Sequence, residues 1–438
     1  EFATVAEMTA SSIVFPVGKK LTTKGYNSSG DGGAADYLVS ANPNANGIQD
    51  HNLNFGFRAE YQPTNPINAK AFGMIDDSTP STAKMYALND YMKLKGLEVV
   101  SFEGVLNIMI DRSDVREAPY GHSLIIDTPI TIIGGNCRIY LDPDDLIGED
   151  ERPLDERPGM VFFKQPFHIT NLTFDGSANS GNALGNLETN TVVASSACAG
   201  SYMSDCKIVN SVSSAIVPAC RITLRDNLFE FFGDHAIYLR SSSYTTHDGS
   251  LIVGNRIIQG NTAGRIYGGS ARDLVKLADY SRNIIVSDNY IEGAIGVNVE
   301  VLSRGVSVKN NTFVTSYAGI QVADPDSTGG VNGQSLQIAG NRFFDYETIK
   351  GFPNFGAWRT RGVIFSASVD LLLEDIEITG NSFRTFNHGI QDGFNGASIS
   401  GGTFNDNKFF NCRLYLYAGE SKGNFIKGNK FFGFDSGL

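Results

Sequence analysis

The sequence lacks the features that mark several common classes of protein. It has no apolar run of the roughly 20 residues that a membrane-spanning helix needs. Its formal net charge is -12, which disfavours nucleic acids and anionic membranes as partners because both require clustered lysine and arginine. A mononuclear zinc-binding set, a nucleophile elbow and a dinucleotide-binding loop are all missing. We therefore expect no metal, no cofactor, no nucleic-acid partner and no membrane insertion.

Cysteine is scarce as well, and the few cysteines form no pattern. There are five, an odd number, and none of their spacings is typical of a metal site. Reduced, buried thiols are the expected state, consistent with assembly in a cytoplasm. They are Cys137, Cys198, Cys206, Cys220 and Cys412.

What the sequence does contain is a short phrase that recurs from residue 221 to residue 434. In each copy an alternating apolar strand meets a turn residue, then an asparagine, then an apolar residue two places later. Successive copies lie 22 to 40 residues apart, as expected for a repeat with a constant core and loop insertions. The asparagines are Asn227, Asn255, Asn289, Asn311, Asn341, Asn381, Asn407 and Asn429. The apolar residues are Phe229, Ile257, Ile291, Phe313, Phe343, Phe383, Phe409 and Phe431.

A repeat of alternating strands without helical periodicity predicts a coil of short parallel strands. We therefore predict an all-β fold, a right-handed parallel β-helix built as a single-stranded solenoid. Each coil rises about 4.8 Å, so that equivalent residues stack in columns. The aromatic column should fill the interior, and the asparagines should sit at a tight turn and hydrogen-bond to the neighbouring coil. Two earlier phrases fit the register with Leu172 and Cys206 at the asparagine position.

The region before the repeat has a different pattern. Ser78 or Thr79 is predicted to cap a helix that runs to about Lys95 and stops at Gly96. A helix laid across the open end of a solenoid covers its apolar edge, so we interpret it as a cap. The predicted regions are a small N-terminal module at 1–62, an entry strand and capping helix at 63–97, and the β-helix at 98–438.

Two stretches carry a resemblance to a known family. VGKKLTTKGYNSSGDGGAADYLV resembles the opening of many phage tailspikes, and NAKAFGMIDDSTPSTAKMYALNDYMKLKGLEVVSFEGVLNI resembles the entry module of the pectate-lyase-like superfamily. Where the family has Gly-Asp-Gly after Phe-Gly, this chain has Met-Ile-Asp-Asp at 74–77, which we interpret as a local variation. The resemblance implies a homotrimer that acts on bacterial surface polysaccharide and joins the phage tail or baseplate through its N-terminal region. Such a protein is assembled in the host cytoplasm, carried on the virion and active at the host cell surface.

The strands that follow the asparagine turns place polar and aromatic residues in one outward column. Such a face resembles an extended glycan groove, in which aromatic rings stack on sugars and amides bind hydroxyl groups. The column comprises Tyr238, Lys276, Glu300, Gln321, Gln391 and Tyr415. Asp279 and Asp324 follow just beyond two of these strands.

Carboxylates on this face suggest a glycosidase. Two carboxyl groups about 5–5.5 Å apart suit a retaining enzyme, and about 6.5–9.5 Å suits an inverting one. We predict Glu300 as the central catalytic residue, with Asp324 and Asp279 on the flanking coils as its partners. The alternative interpretation is that Lys276 and Glu300 form only a surface ion pair and that Asp324 belongs to a turn. His235 and His388 have no evident metal partner and are predicted to be structural.

Substrate contacts are predicted on the column and in the loops between coils, because loops on a rigid scaffold concentrate binding residues. The predicted substrate-binding residues are Tyr238, Arg240, Lys276, Arg304, Gln321, Tyr267 and Trp358.

Three functions stay open from the sequence. The favoured one is a polysaccharide depolymerase that cleaves capsule, exopolysaccharide or lipopolysaccharide as an endo-glycosidase. The second is a polysaccharide lyase, which would need Tyr238 or Lys276 as a base and Arg240 or Arg304 to neutralise a uronate. The third is a non-catalytic adhesin or structural spike that only binds glycan.

Overall fold

Three long parallel sheets form the walls of a β-helix, which confirms the predicted fold class. The chain visits the three sheets in the same order in each coil, so that neighbouring strands of a sheet come from successive coils. We call them the first, second and third sheets in that order; the asparagine turn joins the first to the second. The computed structural model describes residues 1–75, 79–111, 123–142, 159–176, 190–211, 213–239, 247–259, 273–277, 282–293, 297–302, 304–315, 317–323, 335–345, 360–366, 371–394, 397–415 and 423–433.

The strands of the three sheets are short and regularly spaced. The first sheet contains Ile67–Asn68, Val99–Ser101, Ile130–Ile133, Phe167–Thr170, Ser201–Ser204, Ile222–Arg225, Leu251–Val253, Ile285–Ser287, Val306–Lys309, Leu336–Ala339, Ile376–Thr379, Thr403–Asn405 and Phe425–Lys427. The second contains Asn107–Ile110, Arg138–Leu141, Thr173–Asp175, Lys207–Ser211, Leu228–Phe232, Arg256–Ile258, Tyr290–Gly293, Thr312–Thr315, Arg342–Asp345, Ser382–Arg384, Lys408–Phe410 and Lys430–Phe432. The third contains Leu124–Ile126, Gly159–Phe163, Asn190–Ala194, Ile216–Pro218, Ile237–Leu239, Val275–Leu277, Val297–Val301, Ala318–Ala323, Arg361–Ser366, His388–Phe394 and Arg413–Tyr415. A separate parallel pair is formed by Leu371–Glu374 and Ala397–Ser400.

The N-terminal region forms an antiparallel sheet of its own. A short helix, Val5–Thr9, precedes the strands Lys20–Thr23, Ala35–Ser40, His51–Leu53 and Phe57–Gln62. Aromatic contacts join this sheet to the start of the solenoid, since the Tyr61 ring lies 5.6 Å from the rings of both Phe72 and Tyr91. One apolar core therefore continues from the N-terminal sheet into the β-helix. Single turns of 3-10 helix are found at Asn54–Gly56, Ala69–Phe72 and Ser196–Cys198.

The capping helix runs from Thr82 to Lys95 and ends at Gly96, whose φ of 63° closes the last turn. Its predicted apolar face is confirmed, because Met85, Leu88 and Met92 are buried. Its start was predicted a few residues too early. The N-cap is Ser81, whose side chain makes no capping bond and whose N–H donates to the Met109 carbonyl at 2.8 Å. Tertiary pairing, rather than a local cap, sets where this helix begins.

The asparagines form the predicted ladder inside the turn. The backbone N–H of each of the first seven, from Asn227 to Asn407, donates to Oδ1 of the asparagine in the next coil at 2.8–3.0 Å. Each Nδ2 also donates to a backbone carbonyl of the preceding coil, as Asn341 does to Val308 at 2.8 Å. The residue before each asparagine has a φ of 54–70°, which explains why glycine, aspartate and asparagine occur there. Cys206 continues the column, with its N–H donating to Asn227 Oδ1 at 3.0 Å.

The aromatic column fills the interior as predicted. Rings of successive coils stack with centroids 4.7–5.1 Å apart and planes within 17° of parallel. They belong to Phe313, Phe343, Phe383, Phe409 and Phe431. The five cysteines are free and buried, as expected from their number and spacing. No helix in the described part of the chain is long and apolar enough to cross a membrane.

Candidate functional site

The outward column of the third sheet has the predicted register over four coils. Tyr238 pairs with Lys276, Lys276 with Glu300, and Glu300 with Gln321. The next residue in the column is Ile364. The column predicted from the sequence did not include it, because its strand follows a long insertion. Gln391 comes one coil later and pairs in turn with Tyr415. The polar part of the column is thus a block from Tyr238 to Gln321, with the fully buried Ile364 separating it from Gln391.

Lys276 and Glu300 form an ion pair at the centre of this block. Lys276 Nζ lies 2.8 Å from Glu300 Oε2 and 3.7 Å from Asp273 Oδ2. The side chains of Glu300 and Asp273 are only 13% and 15% exposed, so the ion pair is largely screened from solvent. The surface ion pair considered from the sequence is therefore present, but it includes a second carboxylate.

Asp273 is the residue that the sequence interpretation missed. It precedes the strand Val275–Leu277, at the corner where the chain enters the third sheet. Burial raises the pKa of Asp273 to about 8, and the charge of the neighbouring Glu300 and a hydrogen bond between the two carboxyl groups act in the same direction. Lys276 opposes this rise in pKa without cancelling it. The Asp273 carboxyl group is therefore protonated near neutral pH.

The same neighbours also raise the pKa of the lysine, which keeps it charged. Burial acts to lower the pKa of Lys276, but the adjacent Glu300 and Asp273 outweigh burial and raise it above its usual value of 10.5. Lys276 is therefore a fixed cation at the site. It holds the two carboxyl groups together and offsets part of their repulsion.

A third acid and a histidine border this cluster one coil earlier. Asp234 is 5% exposed and adds to the negative field that raises the pKa of Asp273. His235 Nδ1 forms a hydrogen bond with the backbone carbonyl of Asp273, and its Nε2 lies 3.5 Å from Asp234 Oδ1. The His235 ring also contacts Tyr238, with centroids 5.1 Å apart. These contacts agree with the predicted structural role of His235, which is hydrogen-bonded to the turn that contains Asp273.

The far end of the groove is also polar. Arg361 Nε donates a hydrogen bond to Gln391 Oε1, and the Arg361 guanidinium lies 5.7 Å from the centre of the Tyr317 ring. A guanidinium and an amide together can bind the hydroxyl or carboxyl groups of a sugar. The acidic cluster and the Arg361–Gln391 pair thus lie about three coils apart, and the buried Ile364 lies between them in the column.

The remaining predicted site residues are only partly placed. Arg304 lies in the turn between Val297–Val301 and Val306–Lys309, where its backbone pairs with Arg282. Five other predicted residues lie outside the described residues, namely Asp279, Asp324, Arg240, Tyr267 and Trp358. Among the described residues no cluster of three or more His, Cys, Asp and Glu side chains is arranged to hold a metal ion.

A signal for Asp273 does exist in the sequence. Both Asp234 and Asp273 lie a few residues before a strand of the third sheet, in Gly-Asp-His-Ala-Ile and Arg-Asp-Leu-Val. Equivalent corners of successive coils stack, so two acids at that place predict neighbouring carboxylates. Side chains alternate inward and outward only within a strand, and Asp234 and Asp273 lie in the turns before their strands. The alternation therefore does not predict where these two side chains point.

No known protein family is detected in the sequence, and no characterised protein matches it by sequence. Solved structures are similar. The tailspike of Acinetobacter baumannii bacteriophage Fri1, described as a capsular polysaccharide depolymerase, aligns over 99% of this chain and 74% of its own length, with 12% identity and a TM-score of 0.58. A variant of the E. coli bacteriophage HK620 tailspike in complex with a pentasaccharide aligns over 81% of this chain and 63% of its own, with 15% identity and a TM-score of 0.59.

The Dettilon tailspike is a third similar structure, with 13% identity, a TM-score of 0.55 and coverage of 82% of this chain and 66% of its own. At such low identities the likeness concerns the fold. The chain has the parallel β-helix fold of phage tailspikes, and it spans about two thirds to three quarters of the length of these three structures.

Proposed function

We propose that the chain is a tailspike polysaccharide depolymerase that hydrolyses a bacterial surface glycan at the Asp273–Glu300 pair. The observation that carries the proposal is two carboxyl groups held on one lysine, one of them with its pKa raised to about 8, on an outward face of a β-helix. A strongly perturbed acid in a partly exposed groove is a candidate catalytic group. The similarity to glycan-binding tailspike structures supports a surface polysaccharide as the substrate.

Each carboxyl group has a distinct role in this mechanism. Asp273, protonated at neutral pH, donates its proton to the oxygen of the glycosidic bond as that bond breaks. Glu300, ion-paired with Lys276, attacks the anomeric carbon and forms a glycosyl ester. Asp273 then removes a proton from water, which displaces the sugar from Glu300 and restores both groups.

The spacing supports retention of configuration. Both carboxyl groups contact the same amino group and form a hydrogen bond with each other, so they lie closer together than the roughly 6.5–9.5 Å of inverting enzymes. No room is left between them for the water molecule that an inverting reaction places there. Glu300 therefore acts as the nucleophile rather than as a base on water.

The charge of Lys276 argues against Lys276 as the base of a lyase, which leaves Tyr238 as the base that the lyase alternative would need. A lyase base must be unprotonated to remove a proton from the sugar, whereas the raised pKa of Lys276 keeps it a cation. Products that lack absorbance near 235 nm but carry new reducing ends would support hydrolysis. Glycan binding without either signal would instead support an adhesin.

We also propose that the chain works as a parallel homotrimer attached to the phage tail through its N-terminal region, on the family resemblance. Light scattering should then give a mass about three times the 47.3 kDa of one chain. A mass near that of one chain in dilute buffer would contradict the trimer.

The central experiment replaces Glu300 with glutamine and assays reducing ends against a panel of purified capsules and lipopolysaccharides. Glu300→Gln keeps the shape of the side chain while removing the nucleophile, so turnover should fall at least about 10²-fold with melting and glycan binding retained. Glu230→Gln, on the outer face of the second sheet, is the matched control and should keep full turnover. Normal turnover by Glu300→Gln on the true substrate would overturn this site.

A further inference from the structure

The outer face of the second sheet carries a line of cations that the proposed groove does not use. Four successive strands each present one: Arg342, Arg384, Lys408 and Lys430. All four are exposed, and none forms an ion pair with a carboxylate of the described residues. Phe344 and Phe410 lie beside them on the same outer face. We call these six residues the cationic stripe.

In an earlier coil of the same sheet, an arginine of the outer face is paired with a carboxylate. Arg138, the first residue of its strand, occupies the column of Arg342, and its guanidinium lies 2.8 Å from Asp175 Oδ2. The cationic stripe has no equivalent acid in its outer columns: the residues paired with Arg342 and Phe344 are Ser382 and Arg384, followed by Lys408 and Phe410. Four cations thus collect on one face of a chain whose net charge is -12.

Two aromatic rings hold one of these cations, Arg384, in place. The Arg384 guanidinium lies 4.6 Å from the centre of the Phe410 ring and 5.9 Å from that of Phe344. Such cation–π contacts orient the guanidinium while leaving its N–H groups free to bind an anion. The ring contacts thus pre-arrange the guanidinium of Arg384 within the stripe.

The spacing of the cations indicates the ligand. Successive strands of a sheet are about 4.8 Å apart, so a linear chain along the helix axis meets one cation per coil over four coils. Duplex DNA carries one charge per about 1.7 Å, far denser than this row. We infer that the cationic stripe binds an anionic polysaccharide, one with about one carboxylate per sugar, at a second surface separate from the groove of the third sheet.

The test uses polygalacturonate as the anionic probe and dextran as the neutral one. Wild type should bind polygalacturonate in 50 mM salt, with affinity that falls as salt rises, and should not bind dextran through this face. The variant Arg342→Gln/Arg384→Gln/Lys408→Gln should lose at least tenfold in affinity, and the slope of log K against log salt should fall by about 2. The control Lys19→Gln/Lys207→Gln/Arg221→Gln removes three exposed cations elsewhere and should bind within twofold of wild type.

Three results would overturn the inference. The first is a wild-type protein that does not bind polygalacturonate. The second is a stripe variant that binds it as tightly as the control variant does. The third is a stripe variant whose mass in light scattering differs from that of wild type. The last would identify the stripe as a contact between copies of the chain. Turnover at Asp273 and Glu300 is assayed separately, so that failure of the stripe and failure of the proposed function are distinguishable.

Discussion

The asparagine ladder and the charged column are both lines of side chains that run along the same solenoid, yet they are built in opposite ways. The ladder repeats one residue in eight coils, and seven of the eight are at most 2% exposed. The charged column changes residue at each coil, from tyrosine to lysine, glutamate and glutamine. In a repeat protein, a column that keeps its residue stabilises the fold, and a column that varies is free to carry function.

The energetics of the two columns differ in the same direction. In the ladder each amide both donates and accepts across the coil, as Asn311 and Asn341 do at 3.0 Å, so that buried polar groups are satisfied. In the site, burial of Asp273 and the charge of the adjacent Glu300 raise the pKa of Asp273 so that its carboxyl group stays protonated near neutral pH. The ladder lowers the free energy of the fold, whereas the acidic pair raises it, which is the usual cost of a catalytic arrangement.

The largest effect is expected from Asp273→Asn. Removing the proposed general acid should lower turnover at least about 10²-fold, the usual scale for general acid–base catalysis. The same change removes like-charge repulsion, so the melting temperature should stay the same or rise. Activity lost together with a lowered melting temperature would mean that Asp273 is mainly structural.

The pH dependence of stability gives this substitution a second readout. A carboxyl group whose pKa is raised from 3.8 to about 8 binds more protons in the folded chain than in the unfolded one between those values. Its contribution to stability is therefore lost as pH rises from about 4 to 8, by up to about 1.4 kcal/mol per pH unit for one full proton. Denaturant titrations of wild type and Asp273→Asn at pH 5 and pH 8 should show this loss only in wild type.

An intermediate effect is expected from Asn341→Ala in the ladder. The substitution leaves buried backbone groups of two coils unpaired and should destabilise the chain by about 1–3 kcal/mol, with turnover per folded molecule nearly unchanged. Asn429→Ala, in the last described coil where the side chain is only half-buried, should cost less than about 1 kcal/mol. Unfolding in urea measures both. Unchanged melting with lost activity in Asn341→Ala would contradict a purely structural ladder.

The smallest effect is expected from Lys276→Met. Lys276 lowers the pKa of Asp273, so its removal should raise that pKa further and move the basic limb of the pH–rate profile to higher pH by about one unit. Lys207→Met, on the second sheet, should leave the profile unchanged. A limb that does not move would show that Asp273 is not the group whose titration limits turnover.

Several features could be predicted from the sequence because they depend on local pattern. Alternation within a strand fixes which side chains face in, so the Phe313–Phe431 stack and the Asn227–Asn429 ladder were predictable. The register of Lys276, Glu300 and Gln321 followed in the same way, since each lies at the same place in a similar strand. Ile364 was missed because its strand carries no asparagine phrase directly before it.

Only the tertiary structure decided which groups meet at the site and where the cap begins. Asp273 and Glu300 are 27 residues apart and contact each other because the corner before one strand turns an acid towards the next coil. Arg384 lies against Phe410 for the same reason, as a neighbour across coils rather than along the chain. The helix starts at Thr82 because Ser81 pairs with Met109. Corner geometry and insertion length set these contacts, and neither leaves a periodic pattern in the sequence.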